Sequence, residues 1–232
     1  MSASRFMYFA GERLSIAELS AASLDGHLVG LGEGFMPADA IETIAMRAAS
    51  LRPLLHETTA ATLLSAAWIW GALDHPPTRH SAHRAVAHRL HHVHSRRMVL
   101  HDVYLPEEGR MLVGGVWVST PLHTLIALVR AAAQAPAPAP AKPPAPRTGA
   151  AAHADPRITA ARALVGLRLA DPAEAVAWLA ARPRMPGKRA ARTLLLELRA
   201  QAQTQTPAQE HPHPHPQTHP QLNPQAGSGV PA

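Results

Sequence analysis

Hydrophobic positions along the chain switch between helical and alternating spacing, and the switches predict a mixed fold. Ser15-Ile16-Ala17-Glu18 has the spacing of a capping box and opens a short helix in which Ile16, Leu19 and either Ser23 or Leu24 recur on related faces. Asp25-Gly26 turns the chain, and Leu28 to Phe35, with glycines at 30, 32 and 34, reads as a short β-ribbon or wing-like turn. From Asp39 to Leu51 a stripe of Ile41, Ile44, Ala45, Ala48 and Leu51 predicts a second helix. The alanine-rich run Thr58 to Trp70, closed by Gly71, predicts a third. Trp68 and Trp70 near its end are expected to anchor the core; the competing reading is a platform on which a base stacks. Arg96 to His101 and Met111 to Val118 read as two strands joined by a turn over Pro106 to Gly109. In the second of them Leu112, Gly114, Val116 and Val118 alternate with Met111, Val113, Gly115 and Trp117. Thr120 then caps a helix with Pro121 at its first position, and Leu122, Leu125, Ile126 and Val129 give it an apolar stripe.

A proline/alanine stretch, Gln134 to Gly149, has nothing to pack and reads as an extended spacer. Beyond it Ile158 to Leu169 is helical. Asp171-Pro172-Ala173-Glu174 is a strong helix start, and Pro186-Gly187 interrupts the pattern before it resumes from Lys188 to Arg199. Three short helices are too few for a secure core of their own, so they are expected to dock on the main block while the spacer loops outward. From Gln201 the sequence is low in complexity and rich in His, Pro and Gln; nothing in it offsets the entropy of ordering, and a disordered tail is expected. The expected organisation is thus 1–50, 51–133, a linker over 134–155, a helical block over 156–200 and a tail over 201–232. The expected fold class is α/β or α+β: a small mixed sheet covered by helices, followed by the helical block.

Composition narrows the function classes. The chain of 232 residues has no cysteine, which removes thiolate chemistry and cysteine-based zinc sites. No run approaches 18 apolar residues, so no membrane span is expected, and Met1 to Ala10 lacks the organisation of a signal peptide. The cytoplasm is the expected compartment. The formal net charge of +6 is uneven: residues 1–50 carry three arginines against six acids, while residues 51–130 carry eight arginines against five. Such a balance is an argument for contact with a polyanion and is silent on fold; an arginine-rich composition typical of a GC-rich genome is the bland alternative.

The most unusual segment is Arg79 to His101, with five arginines, seven histidines and no acid. One reading is a phosphate-contacting surface, with Arg79, Arg84, Arg89, Arg96 and Arg97 on backbone oxygens. A second is a solvated segment without a ligand. A third is a metal site: His80 with His83, and His88 with His91, each share a face if the segment is helical. Surrounding positive charge and the lack of a nearby carboxylate before Asp102 oppose a dication, so no metal site is assigned. His211, His213, His215 and His219 in the tail would hold nickel or copper weakly at most. On the last helix Lys188, Arg189 and Arg192 add to the candidate nucleic-acid-binding set. No catalytic residue or cofactor is assigned: Glu107 and Glu108 sit on a turn without partners, and the Met111–Val118 strand has neither acid nor lysine. The chain is therefore read as a non-enzyme.

Three stretches carry a family resemblance: LSIAELSAASLDGHLVGLGEGFMPAD; AAWIWGALDHPPTRH; and SRRMVLHDVYLPEEGRMLVGGVWVSTPLHTLIALVR. Together with ARPRMPGKRAARTLLLEL near the end, they resemble actinobacterial AbiEi-family antitoxin-like proteins of type IV toxin–antitoxin systems. The resemblance implies a winged-helix-like N-terminus over 1–50, here reduced, joined to an α/β antitoxin-like core over 51–133. It implies a transcriptional regulator that binds double-stranded DNA, with a functional link to a cognate nucleotidyltransferase toxin and no tight complex. The sequence departs from that pattern at the N-terminus. Only one convincing helix precedes Gly26, and Ser15 to Leu24 offers no Arg, Lys, Asn or Gln to base edges. A basic surface near 79–97 and the 182–199 helix are the better DNA candidates. The alternative is a non-catalytic protein-interaction module that has lost DNA binding.

Overall fold

The computed structural model describes residues 6–90, 95–135, 155–182 and 184–204. Helix α1 (Ile16–Leu24) starts where the capping box places it: the Ser15 hydroxyl accepts from the Glu18 amide at 3.3 Å, and the Glu18 carboxylate accepts from the Ser15 amide at 2.7 Å. Its buried contact is Leu19, whereas Ile16 and Leu24 face outward. The ribbon follows as expected, with β1 (Leu28–Leu31) antiparallel to β2 (Gly34–Pro37). Gly32 at its tip has φ 57° and lies so close to Ser50 that a Cβ would strike the Ser50 hydroxyl. Among the described residues α1 is the only helix before the ribbon.

Helix α2 (Ile44–Ser50) is shorter than its apolar stripe predicts. Thr43 caps it, and the buried side is Met46, Ala48 and Ala49, leaving Ile41 and Ile44 exposed. The alanine-rich run splits into a strand, β3 (Thr59–Ala61), and helix α3 (Leu63–Ile69), where a single helix was expected. Leu63 enters that helix with φ 51°, a left-handed conformation that costs about 1–2 kcal/mol for a residue with a side chain. Then come β4 (His80–Arg84), β5 (Met98–Tyr104), a 3-10 turn over Glu107–Gly109, β6 (Arg110–Val113), β7 (Val116–Ser119) and α4 (Pro121–Ala133). Thr120 caps α4 with Pro121 at its start, as the sequence indicates.

The five strands β3 to β7 form one mixed sheet in the order β5-β4-β3-β7-β6, so the fold is mixed α/β with helices filling the C-terminal part. The expected hairpin between Arg96–His101 and Met111–Val118 does not form. β5 and β6 occupy opposite edges of the sheet, and the segment from 111 to 118 is itself a hairpin folded at Gly114-Gly115. Apolar alternation runs unbroken across the turn because glycine continues either parity. Positive φ at both glycines (57° and 86°) reverses the chain in two residues.

Cross-strand register sorts the two faces. Ala61, Ala82 and Val118 are neighbours across β4, β3 and β7, all fully buried in the main core with Trp68, Ile69, Leu125 and Leu128. The opposite parity aligns Ala60 with His83 and Trp117, near a smaller cluster of Ala60, Ala85 and Leu105. Trp68 is fully buried and Trp70 donates its indole N–H to the Ser119 carbonyl at 2.9 Å, so both are core anchors and neither can stack on a base. Helices α5 (Pro156–Gly166), α6 (Pro172–Ala180) and α7 (Lys188–Thr204) complete the layer: α5, α6 and α7 pack on α4, and α5 also on α3. α7 runs past residue 200, where the tail was expected to begin. Most of the proline/alanine linker, the His/Pro-rich tail and His91 lie outside the described residues. No helix among the described residues is long and apolar enough to cross a membrane.

Candidate nucleic-acid interface

The parallel pairing of β4 with β5 brings two separate arginine runs together. His80 at the start of β4 donates its amide to the Arg97 carbonyl at 2.7 Å, which sets Arg79 beside Arg96 and Arg97 at one end of the pair. Arg79 and Arg96 are exposed, and neither has an ion pair among the described residues. Arg97 is 61% exposed and holds the Glu33 carboxylate at 2.9 Å. β5 is an edge strand, so nothing in the sheet covers this end from outside.

The other end of the same pair is built differently. Arg84 is buried: its Nε lies 2.6 Å from Asp102 of β5, and one terminal nitrogen donates to the carbonyls of Val86, Ala87 and His88 at 3.2, 2.7 and 2.7 Å. It holds the loop after β4 in place and has no face left for a ligand. Arg89 is exposed and shares Asp102 at 3.2 Å. Of the five arginines in the segment, four are thus presented to solvent and one is an internal strut. Lys188 is spent on the C-terminal end of α6, donating to the carbonyls of Ala180 and Arg182, while Arg189 and Arg192 are exposed. α7 packs mainly on α4, α5 and α6, away from the strand pair that carries the first basic surface.

β4 being a strand also changes the histidines. Residues three apart on a strand point to opposite faces, so His80 and His83 cannot chelate together. No group of three or more metal-ligating side chains occurs among the described residues. His80 turns inward, with Nδ1 3.1 Å from the Ser65 hydroxyl and Nε2 3.7 Å from Glu33. Ser65 accepts from the Ser81 amide at 2.9 Å, so its own proton is free for His80. Burial, with the Arg97 charge adding, lowers the His80 pKa to about 4; burial raises that of Glu33 against the pull of Arg97. The Ser-His-Glu order invites comparison with a nucleophile triad. However, Ser65 is fully buried and meets the ring through Nδ1, whereas a nucleophilic serine is served by the far nitrogen. The network instead fastens the ribbon tip to the sheet.

His83 faces the other way. Its ring meets that of its β5 partner His101 edge-on, with centroids 5.8 Å apart. Burial, with the charges of His101 and then Arg130 adding, lowers the His83 pKa to about 4. Sequence reasoning missed Glu33, Ser65, His101 and Arg130 because their neighbours come from other elements. The one signal available was the absence of any acid close to so many cations. No protein-family model, no curated protein and no solved structure matches the chain.

Proposed function

We propose that the protein is an antitoxin-like, DNA-associated transcriptional regulator that acts in the cytoplasm through the end of the β4–β5 pair bearing Arg79, Arg96 and Arg97. The observation that carries this reading is the pairing of two exposed arginines without carboxylate partners among the described residues, on neighbouring strand ends at a sheet edge. Free guanidinium groups held side by side on rigid strands suit phosphate oxygens, and they release counterions on binding. Arg89, in the chain after β4 and held 3.2 Å from Asp102 of β5, is a further exposed cation towards the other end of the same strand pair. The proposal takes its operon-regulating role, and its functional link to a nucleotidyltransferase toxin, from the resemblance to AbiEi-family proteins. The N-terminal helix is not the reader: α1 carries no Arg, Lys, Asn or Gln.

Binding to a duplex from the upstream region of its own gene should fall steeply with salt. The double variant Arg79→Ala/Arg96→Ala should lower affinity and reduce the slope of log K against log salt by about 1.8, two phosphate contacts at about 0.9 each. An unchanged slope in a folded double variant rules this interface out. A second reading, a protein-interaction module, is favoured by one observation. The other edge strand, β6, exposes Met111 and Leu112 beside its unpaired backbone. It predicts a partner recovered without DNA and no gel shift at low salt.

A further inference from the structure

The three arginines at the start of the β4–β5 pair are not equivalent. Arg79 and Arg96 are exposed and have no ion pair among the described residues, whereas one terminal nitrogen of Arg97 lies 2.9 Å from the Glu33 carboxylate. The two partners differ in exposure: the Arg97 side chain is 61% exposed and that of Glu33 10%. Glu33 stands in the turn between β1 and β2 and is held from several sides. Its amide donates to the Ser50 carbonyl at 3.3 Å, and Gly32 before it packs against the Ser50 side chain. Phe35 just after it exchanges two backbone hydrogen bonds of 2.9 Å with Tyr8. The carboxylate is thus fixed in place beside the guanidinium, and the long arginine side chain is the adaptable partner. The Glu33 oxygen that meets Arg97 is buried and accepts no well-formed hydrogen bond, so it depends on a nearby positive charge. His80 does not supply one. Its Nε2 is 3.7 Å from the same oxygen, and the ring is neutral near pH 7 because burial and the Arg97 charge lower its pKa to about 4.

We propose that Glu33 is an internal stand-in for phosphate: the ribbon-tip carboxylate occupies Arg97 and keeps it out of contact with a DNA backbone. The inference rests on the DNA reading of this surface and names the regulation of that same site. A phosphate that drew Arg97 away would strand a buried carboxylate, a larger loss than parting two exposed ions. Arg79 and Arg96 carry no such penalty and take phosphates freely. Phosphate contacts hold any sequence alike, so an inbuilt competitor for one of three arginines lowers attachment to DNA in general. The β1–β2 ribbon, which offers no cation of its own at its tip, then acts on DNA binding through the acid it brings to the sheet edge.

The test measures binding of the full chain to a DNA duplex over a range of salt concentrations. Glu33→Gln keeps the shape of the side chain and removes its charge. It should raise affinity about tenfold, the gain expected of one added charged hydrogen-bonding contact, and steepen the slope of log K against log salt by about 0.9. Adding Arg97→Ala to Glu33→Gln should cancel both gains. Gains that survive without Arg97 overturn the proposal, because Glu33 then acts only as one more negative charge. A second measurement needs no variant of Glu33. In the wild-type chain, saturating duplex should shift the guanidinium NMR signals of Arg79 and Arg96 and leave that of Arg97 in place. An Arg97 signal that moves with the other two overturns the proposal, whatever the folding of the variants. If Arg79→Ala/Arg96→Ala lowers the salt slope while Glu33→Gln changes neither affinity nor slope, this inference falls and the DNA reading stands. If neither the wild type nor Glu33→Gln binds duplex in a salt-dependent way, the DNA reading falls and takes this inference with it.

Discussion

The two ends of the β4–β5 pair start from the same residue type and reach opposite outcomes. At one end Arg84 is buried among backbone carbonyls and a carboxylate and serves the fold. At the other, Arg79 and Arg96 carry their charge into solvent. What separates them is the chain that follows each. After Arg84 the backbone curls back and offers the carbonyls of residues 86 to 88 to its guanidinium, while Arg79 and Arg96 precede strands whose carbonyls are taken by the ladder. Arginine in a sequence is therefore not evidence of a ligand until its acceptors have been located.

The sharpest way to break that contrast is Arg84→Ala. Removing it strands three carbonyls and leaves the half-exposed Asp102 to Arg89 alone, and should cost about 2 kcal/mol of stability, read from the shift of a chemical denaturation midpoint. A loss below about 0.5 kcal/mol would mean that the strut is ornamental. Acid is the next lever. His80 and His83 have folded-state pKa values of about 4, below the ordinary 6.5. The unfolded chain then binds protons that the folded one refuses, so stability should fall as pH drops from about 6.5 towards 4, and His101 and His123, whose pKa values burial also lowers, add to the fall. Glu33 opposes this in part, because a raised carboxyl pKa favours the folded state as pH falls. Denaturation midpoints at pH 7, 5.5 and 4.5 measure the dependence, and His83→Gln should make it shallower. The smallest effect is expected on the last helix. Arg189→Ala/Arg192→Ala should alter stability by less than about 0.5 kcal/mol and leave the salt slope of duplex binding where it was. A reduced slope there would extend the interface beyond the sheet edge.

Much of the helical part was legible because capping residues announce themselves locally. Ser15, Thr120 and Asp171 each accept a hydrogen bond from the amides their positions imply. The sheet was not, since strand order depends on partners far apart in sequence. β3 is three residues of which two are alanine, and its place at the centre comes wholly from β4 and β7 on either side. Alanine carries no strand preference, so the alanine-rich run reads as helix throughout, which holds for Leu63–Ile69 and fails for Thr59–Ala61. The arginine surface was visible as composition only. That Arg84 turns inward depends on the geometry of the loop after β4, which no local pattern records.

The glycine turn between β6 and β7 has a consequence for recognising distant chains of this shape. Gly114 sits in a left-handed conformation with the Ala45 carbonyl of α2 where a Cβ would lie. Any other letter there must both adopt an unfavourable backbone angle and push a helix aside. A saturation library scored by folding should return a single tolerated residue at 114. That fingerprint would mark this hairpin-on-helix contact in chains whose overall similarity has faded.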